Sequence, residues 1–175
     1  MVWGRQVTEQ DILESVLTRE GWPTYSLHPN DGGGPTKGGI TLRTLESWRG
    51  RRCTRAELKR LKKEEALAIL KRRYVETNGI NRVDHMGLRS QLIDDAVLSG
   101  PMLAVKDLQA ALDTVTVDGI IGPETLAAVE RDMPEVVGRR LAVERTIRLV
   151  RFVKSKPDQM VFLVGWVRRC LSFVT

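Results

Sequence analysis

The chain has 175 residues, and its 42% of hydrophobic residues is enough apolar material for a folded core, which argues against a disordered protein. Lys and Arg total 28 against 22 Asp and Glu, so the formal charge is +6. This excess favours an anionic partner: nucleic acid, a membrane surface or a cell wall. The two cysteines, Cys53 and Cys170, form no C-x-x-C motif, which argues against a zinc site. Either two free thiols or one disulfide fits them, and no metal or cofactor is expected.

Neither end of the chain resembles a membrane segment. Met1–Gln6 lacks the apolar run of a signal peptide. The partly apolar stretch Met160–Val174 is interrupted by Arg168 and Arg169, and it is shorter than the ~20 residues needed to cross a bilayer. We expect a soluble monomer that is made in the cytoplasm without a signal peptide. If it acts outside the cytoplasm, another factor, for example a holin, must release it.

The first predicted element is a helix with a defined start and end. Thr8 is placed as its N-cap, and Asp11 three residues later completes a capping-box variant. Apolar side chains then recur at helical spacing, at Ile12, Leu13, Val16 and Leu17. Glu20 continues this apolar face at the last turn, and Gly21 is a natural helix stop. The pattern therefore predicts an inward-facing carboxyl group at the helix end.

Glycine and proline dominate residues 22–40, which predicts tight turns around a short hairpin rather than a helix. A helix follows Thr41, and a capping box at Thr54 and Glu57 opens a charged helical region that extends to Tyr74 with a break near Lys62.

The second half of the chain also has helical patterns. Gly100-Pro101 separates two helices, Pro123 begins another, and a long helix covers about residues 134–154. The last helix contains Trp166. The fold class predicted is mainly α, with a small β-hairpin or irregular glycine-rich region.

Three side chains in the first 40 residues suit the cleavage of a glycosidic bond. The reaction needs a carboxylic acid that protonates the leaving oxygen, and burial against apolar side chains favours the protonated form. Glu20 is in such a position. Asp31 lies in a glycine-rich loop where a carboxylate stays hydrated and ionised, and the Thr36 hydroxyl can hold a water molecule.

These residues fall in a recognisable motif. Glu20-Gly21, followed by the sequence DGGGPTKGGIT from Asp31 to Thr41, resembles the signature of glycoside hydrolase family 108, roughly E-G-G-Y and then D-x-G-G-x-T-x-x-G-I. Trp22 stands where the family has its second glycine, and the loop before Asp31 is about two residues longer than usual. Tyr25 is the candidate for the family tyrosine.

The resemblance extends along nearly the whole chain. Residues 94–101 (DDAVLSGP), 108–112 (LQAAL), 118–126 (DGIIGPETL) and 165–169 (GWVRR) are similar to blocks of this family and of its associated peptidoglycan-binding module. Leu98 replaces the usual asparagine. The resemblance implies a lysozyme-like catalytic domain at residues 1–97 and a helical peptidoglycan-binding domain at residues 98–175, packed as one body.

The resemblance also implies an activity. Members are phage endolysins and bacterial muramidases, so the expected reaction is hydrolysis of the β-1,4 bond between N-acetylmuramic acid and N-acetylglucosamine. Glu20 would be the acid, with Asp31 and Thr36 orienting water, as in the Glu–Asp–Thr triad of phage lysozymes, which implies inversion. Hydrolysis and lytic transglycosylation both stay open. Residues expected to contact substrate are Tyr25, Gly33, Gly34 and Asp94.

Two alternatives differ in class from an enzyme. A non-catalytic peptidoglycan-binding or secretion-assisting module could keep the same scaffold, a reading that Trp22 and Leu98 favour. A nucleic-acid binder is disfavoured because aromatic residues are only 5% of the chain and none interleave the basic run. That run spans Arg49–Arg73, and it is either the solvated face of helices or a surface that adheres to an anionic cell envelope.

Overall fold

The computed structural model describes residues 8–27 and 34–173. It is mainly helical with one small three-stranded antiparallel sheet, which confirms the predicted fold class. The chain divides into two compact units, one ending at Arg73 and one beginning at Tyr74. The boundary between these compact units, after Arg73, differs from the domain boundary predicted after residue 97. The latter stays a prediction.

The first unit contains four helices and three short strands within the described residues. They are α1 (Glu9–Arg19), β1 (Tyr25–Ser26), β2 (Thr36–Lys37), β3 (Ile40–Thr41), α2 (Leu42–Arg49), α3 (Arg55–Lys59) and α4 (Lys63–Lys71). Strand β2 lies between β1 and β3, and both pairings are antiparallel.

Both predicted capping boxes of this unit are present. The Asp11 amide donates to the Thr8 hydroxyl at 3.2 Å while the Thr8 amide donates to the Asp11 carboxylate at 2.9 Å. Thr54 and Glu57 make the same reciprocal bonds at the start of α3. The predicted apolar face of α1 is buried and this helix packs against α4, so the end of α1 is held firmly on the core of the unit.

The second unit is built from helices. A π-helical turn (Arg72–Glu76) leads into it, and a 3-10 turn (Ile80–Arg82) precedes α5 (Met86–Ser99), α6 (Pro101–Leu112), α7 (Pro123–Arg131) and α8 (Pro134–Ser155). A second 3-10 turn (Pro157–Gln159) leads into α9 (Met160–Leu171). Helix α6 packs against both α5 and α8, and α9 packs against α8.

A buried network of opposite charges joins the helices of the second unit. Asp94 on α5 is fully buried and contacts Arg145 on α8 at 3.2 Å and Arg169 on α9 at 3.0 Å. The neighbouring Asp95 contacts Arg148 on α8 at 2.7 Å. Arg148 also contacts Asp107 on α6 at 2.7 Å. The burial of the Asp107 carboxyl group raises its pKa to about 6, because burial has a larger effect than Arg148, which favours the ionised form. Since three aspartates face three arginines, the network has no net charge when all six groups are ionised.

A second polar contact holds the turn at residues 118–123. The Gln109 amide group donates to Asp118 Oδ1 at 2.7 Å, and its carbonyl oxygen accepts from the Gly119 amide at 2.8 Å. Asn78 donates to the Gly119 carbonyl at 2.7 Å from the other side. Gly119 has φ of +87°, and an added Cβ would lie 2.8 Å from Met102, so this position requires glycine.

Both cysteines are buried free thiols, and burial raises the pKa of Cys170. Over the part of the chain that the structure describes, none of the helices is both long enough and apolar enough to cross a membrane.

Candidate active site

Glu20 is the C-cap residue of α1, with φ of −77° and ψ of 9°. The helix thus ends one residue earlier than Glu20, and the side chain is half-buried rather than fully buried as the apolar face predicted. Gly21, with φ of +84°, turns the chain away immediately afterwards. Within residues 8–27 and 34–173, the Glu20 carboxyl makes no hydrogen bond or ion pair. It is therefore available to a bound molecule.

A tight β-hairpin turn lies directly against Glu20. Gly38 and Gly39 connect β2 to β3, with φ of +53° and +77°, the left-handed values that two-residue hairpin turns favour. A Cβ at Gly39 would lie 3.2 Å from Glu20 Cβ and 3.3 Å from Glu20 Oε2. At Gly38 it would lie 2.8 Å from the Trp22 ring. Glycine at both positions lets the turn between β2 and β3 approach the end of α1 closely, with Gly39 directly against Glu20.

Thr36 is paired with a residue that the sequence did not single out. The hydroxyl oxygens of Thr36 and Ser26 lie 2.8 Å apart, and either can be the donor. The two residues face each other across β1 and β2, which explains the contact. The sequence alone does not indicate this contact, because nine residues separate Ser26 from Thr36 and only the strand register brings them together. If the Thr36 hydroxyl accepts from Ser26, it keeps its proton and one lone pair for a further partner such as water; if it donates, it keeps both lone pairs.

The opposite side of the sheet carries Tyr25 and Lys37. Because side chains alternate along a strand, the register places Tyr25 with Lys37, and Thr36 with Ser26 and Thr41. The Tyr25 ring lies 4.8 Å from Lys59 Nζ. Tyr25 and Thr36 therefore lie on different faces of the sheet, and substrate contact by Tyr25 stays a prediction.

Lys37 is used structurally. Its ammonium group donates to the carbonyl oxygens of Lys59 at 2.7 Å and Leu61 at 2.8 Å, and it lies 4.7 Å from the centre of the Trp22 ring. Among the described residues, Lys37 makes no ion pair with Glu20. Trp22, which departs from the family motif, lies against the hairpin turn at Gly38 and beneath the Lys37 ammonium group.

The other predicted site residues divide into three groups. Asp31 and Gly33 lie outside the described residues, so their roles stay predictions. Gly34 has φ of +73°, and none of the described residues lies within 4 Å of a Cβ added there. Asp94 does not fit its predicted substrate contact, because its carboxylate is fully buried and held by Arg145 and Arg169. The ion pairs with Arg145 and Arg169 give Asp94 a structural role, which explains its presence in the motif at residues 94–101.

The closeness of Gly39 to Glu20 leads to a test of site geometry. We expect Gly39→Ala to lower turnover by about 10-fold to 100-fold, because the new methyl group displaces the carboxyl group and small displacements are costly to catalysis. Gly50→Ala is the matched control: Gly50 also has a positive φ, +65°, but nothing lies within 4 Å of an added Cβ. Both variants should lose similar stability, about 1–2 kcal/mol, in thermal unfolding. Equal turnover of the two would show that the hairpin does not position Glu20.

Comparisons with known proteins match both parts of the chain. The family described as Glycosyl hydrolase 108 matches residues 13–100, and a predicted peptidoglycan domain matches residues 103–171. The first match covers Glu20, the hairpin and α5, and so it continues past Arg73 into the second compact unit. No protein of curated function matches the chain significantly.

Among solved structures, the chain is similar to SagA of Brucella abortus. The two are 33% identical, the alignment covers 93% of this chain and 92% of that one, and the TM-score is 0.71. Similarity of this extent supports a common fold over both units.

Proposed function

The chain belongs to glycosyl hydrolase family 108 and is a peptidoglycan hydrolase, and from this premise we propose that it is an N-acetylmuramidase. The bond cleaved is the β-1,4 linkage between N-acetylmuramic acid and N-acetylglucosamine. The observation that carries the proposal is the half-buried Glu20 carboxyl group, which has no partner among the described residues and lies against the hairpin turn at Gly39. A carboxyl group free of ion pairs can hold the proton that the leaving oxygen needs.

In the proposed mechanism Glu20 donates its proton to the glycosidic oxygen as the bond to the anomeric carbon breaks. Asp31, as a carboxylate, accepts a proton from the attacking water, and Thr36 orients that water through the hydroxyl that Ser26 also contacts. Water attack from the face opposite the leaving group gives inversion, as the analogy with phage lysozymes implies.

The products distinguish hydrolysis from its alternatives. Purified peptidoglycan digested with the full chain should yield fragments with reducing N-acetylmuramic acid ends in mass spectrometry. Anhydro ends, lighter by one water molecule, would indicate lytic transglycosylation instead. Release of no fragments, with binding retained, would indicate the non-catalytic wall-binding module.

Replacement of Asp31 should change the pH dependence of turnover. In the proposed mechanism Asp31 must be ionised to accept a proton from water, so activity falls on the acidic side when it becomes protonated. Asp31→Asn should therefore lower turnover by about 10²–10⁴-fold and remove the acidic limb of the profile measured on a soluble glycan. Near-normal turnover with an unchanged acidic limb would reduce Asp31 to a turn residue.

We also propose that the exposed cations of Arg49–Arg73 assist adhesion to the anionic envelope, where the enzyme acts after release from the cytoplasm. Part of the run is internally paired: Arg49 contacts Glu65 at 2.7 Å, and Arg51 contacts Glu57 at 2.6 Å. The Arg51 hydrogen bond lowers the pKa of Glu57 to about 2. The residues left for adhesion are exposed on and beside α3, namely Arg52, Arg55, Arg60 and Lys62.

Reversal of these charges should weaken lysis of whole cells. We expect Arg52→Glu, Arg55→Glu and Arg60→Glu together to reduce lysis of whole cells more than cleavage of soluble glycan, because only the cell presents a dense anionic surface. Lysis by the unaltered chain should also decline as salt rises, since the screening length is about 10 Å at 0.1 M. Lys59 is left intact because it contacts Tyr25. Equal losses on both substrates would contradict the adhesion role.

A further inference from the structure

Helix α9 has apolar side chains on its outer face as well as its inner face. Cys170 on the inner face is fully buried. On the outer side Val161 is 79% exposed and Val164 63% exposed. Met160, Phe162 and Leu171 are also exposed. A helix on the surface of a globular protein normally presents polar residues to solvent, so this outer face indicates a partner.

The exposed face belongs to a firmly held helix rather than a loose end. Arg169 fixes the last turn of α9 through its contact with the buried Asp94 at 3.0 Å. Trp166 lies 6.0 Å from Phe152 on α8 and stacks on Phe162 at 5.7 Å, measured between ring centres. These contacts set the orientation of α9 on its unit and leave the valines on the outer side.

The segment that carries this apolar face is rich in positive charge. Between residues 151 and 171 there are five cations, Arg151, Lys154, Lys156, Arg168 and Arg169, and one acid, Asp158. Arg168 is exposed and shares a helix face with Val161 and Val164, which precede it by seven and four positions. Arg169 is neutralised by Asp94, which leaves four cations in this segment, three of them on α8 or directly after it and Arg168 on α9 itself.

We propose that the outer face of α9 docks onto the surface of a phospholipid bilayer that contains phosphatidylglycerol. Apolar side chains beside Lys and Arg are the combination by which an interfacial helix enters the headgroup region and contacts anionic lipid. At 12 residues α9 is about 18 Å long, so it lies in the interface and does not cross the ~30 Å hydrocarbon core.

The charges argue against a second copy of the chain as the occupant. In a symmetric dimer the same patch of both copies is buried in one interface, so Arg168 and its basic neighbours would bring two positively charged surfaces together. Like charges placed opposite each other oppose association, whereas an anionic headgroup neutralises them. The proposal concerns a site separate from Glu20 and does not depend on the reaction catalysed.

Vesicle flotation of the full chain tests the proposal. We expect binding to vesicles of phosphatidylcholine with about one-third phosphatidylglycerol to be at least about tenfold stronger than to phosphatidylcholine alone, and to weaken at high salt. Val161→Glu combined with Val164→Glu should reduce binding to the anionic vesicles to the level of phosphatidylcholine, because the new charges oppose both insertion and headgroup contact.

A matched control keeps the result interpretable. Val117 and Val143 are also exposed valines of the second unit, at 49% and 56%, and lie outside α9. Val117→Glu with Val143→Glu makes the same change in net charge and should leave vesicle binding intact. All four positions are exposed, so circular dichroism should show folded proteins.

Three outcomes would overturn the proposal. The first is equal loss of binding in both double variants, which would reflect net charge alone. The second is a dimer in light scattering that disappears only with the α9 variant, which would identify a second copy as the occupant. The third is the absence of vesicle binding by the unaltered chain, whether or not purified peptidoglycan binds it.

Discussion

Glu20→Gln should reduce the cleavage of peptidoglycan by about 10²–10⁴-fold while leaving the fold and wall binding intact. The amide has nearly the same shape as the carboxylic acid but cannot give a proton to the leaving oxygen. Folding should be unaffected because the Glu20 carboxyl makes no hydrogen bond or ion pair with the described residues. The measurement is the loss of turbidity of purified peptidoglycan, with sedimentation of the protein with the same material as the binding assay.

The matched control is Glu64→Gln, the same change at an exposed glutamate on α4 of the same unit. It should retain normal activity. If Glu20→Gln kept substantial activity, Glu20 would not be the acid, and the match to the family would then describe the scaffold rather than its chemistry. If it lost activity and wall binding together with thermal stability, the residue would be structural.

Local signals predicted much of the first unit correctly. Each capping box, at Thr8 and at Thr54, is formed by two residues three positions apart, and the helix stop is set by Gly21 next to the last turn. Such interactions are visible in a short stretch of sequence. The hairpin at Gly38 and Gly39 was expected from the glycine content for the same reason. Each of these features is determined within a few residues of chain.

Features that depend on distant residues could not be predicted. Ser26 became recognisable only when the strand register brought its hydroxyl to Thr36. The half-burial of Glu20 follows from the helix ending at Arg19 and from the approach of Gly39, neither of which helical periodicity can reveal. The motif blocks that contain Asp94 and Arg169 meet as an ion pair although 75 positions separate them.

That ion pair gives the largest expected change in stability. We expect Asp94→Asn to lower the free energy of unfolding of the second unit by about 3–5 kcal/mol, because it leaves the buried Arg145 with only the longer 3.4 Å contact to Asp95 and weakens the attachment of Arg169. The measurement is urea unfolding followed by circular dichroism. Asp84→Asn makes the same change at a side chain that is 100% exposed, and it should have little effect.

A double substitution distinguishes two causes of lost stability: a buried charge without its partner, and the loss of the Asp94 side chain itself. Adding Arg169→Gln to Asp94→Asn should recover part of the loss, since it removes one of the two positive charges that Asp94 had balanced. If instead the two losses simply added, the pair would not be coupled. A substrate role for Asp94 predicts a different result, namely lower turnover at unchanged stability. Because the carboxylate is fully buried between α5, α8 and α9, we expect the loss of stability to come first and any loss of turnover to follow from it.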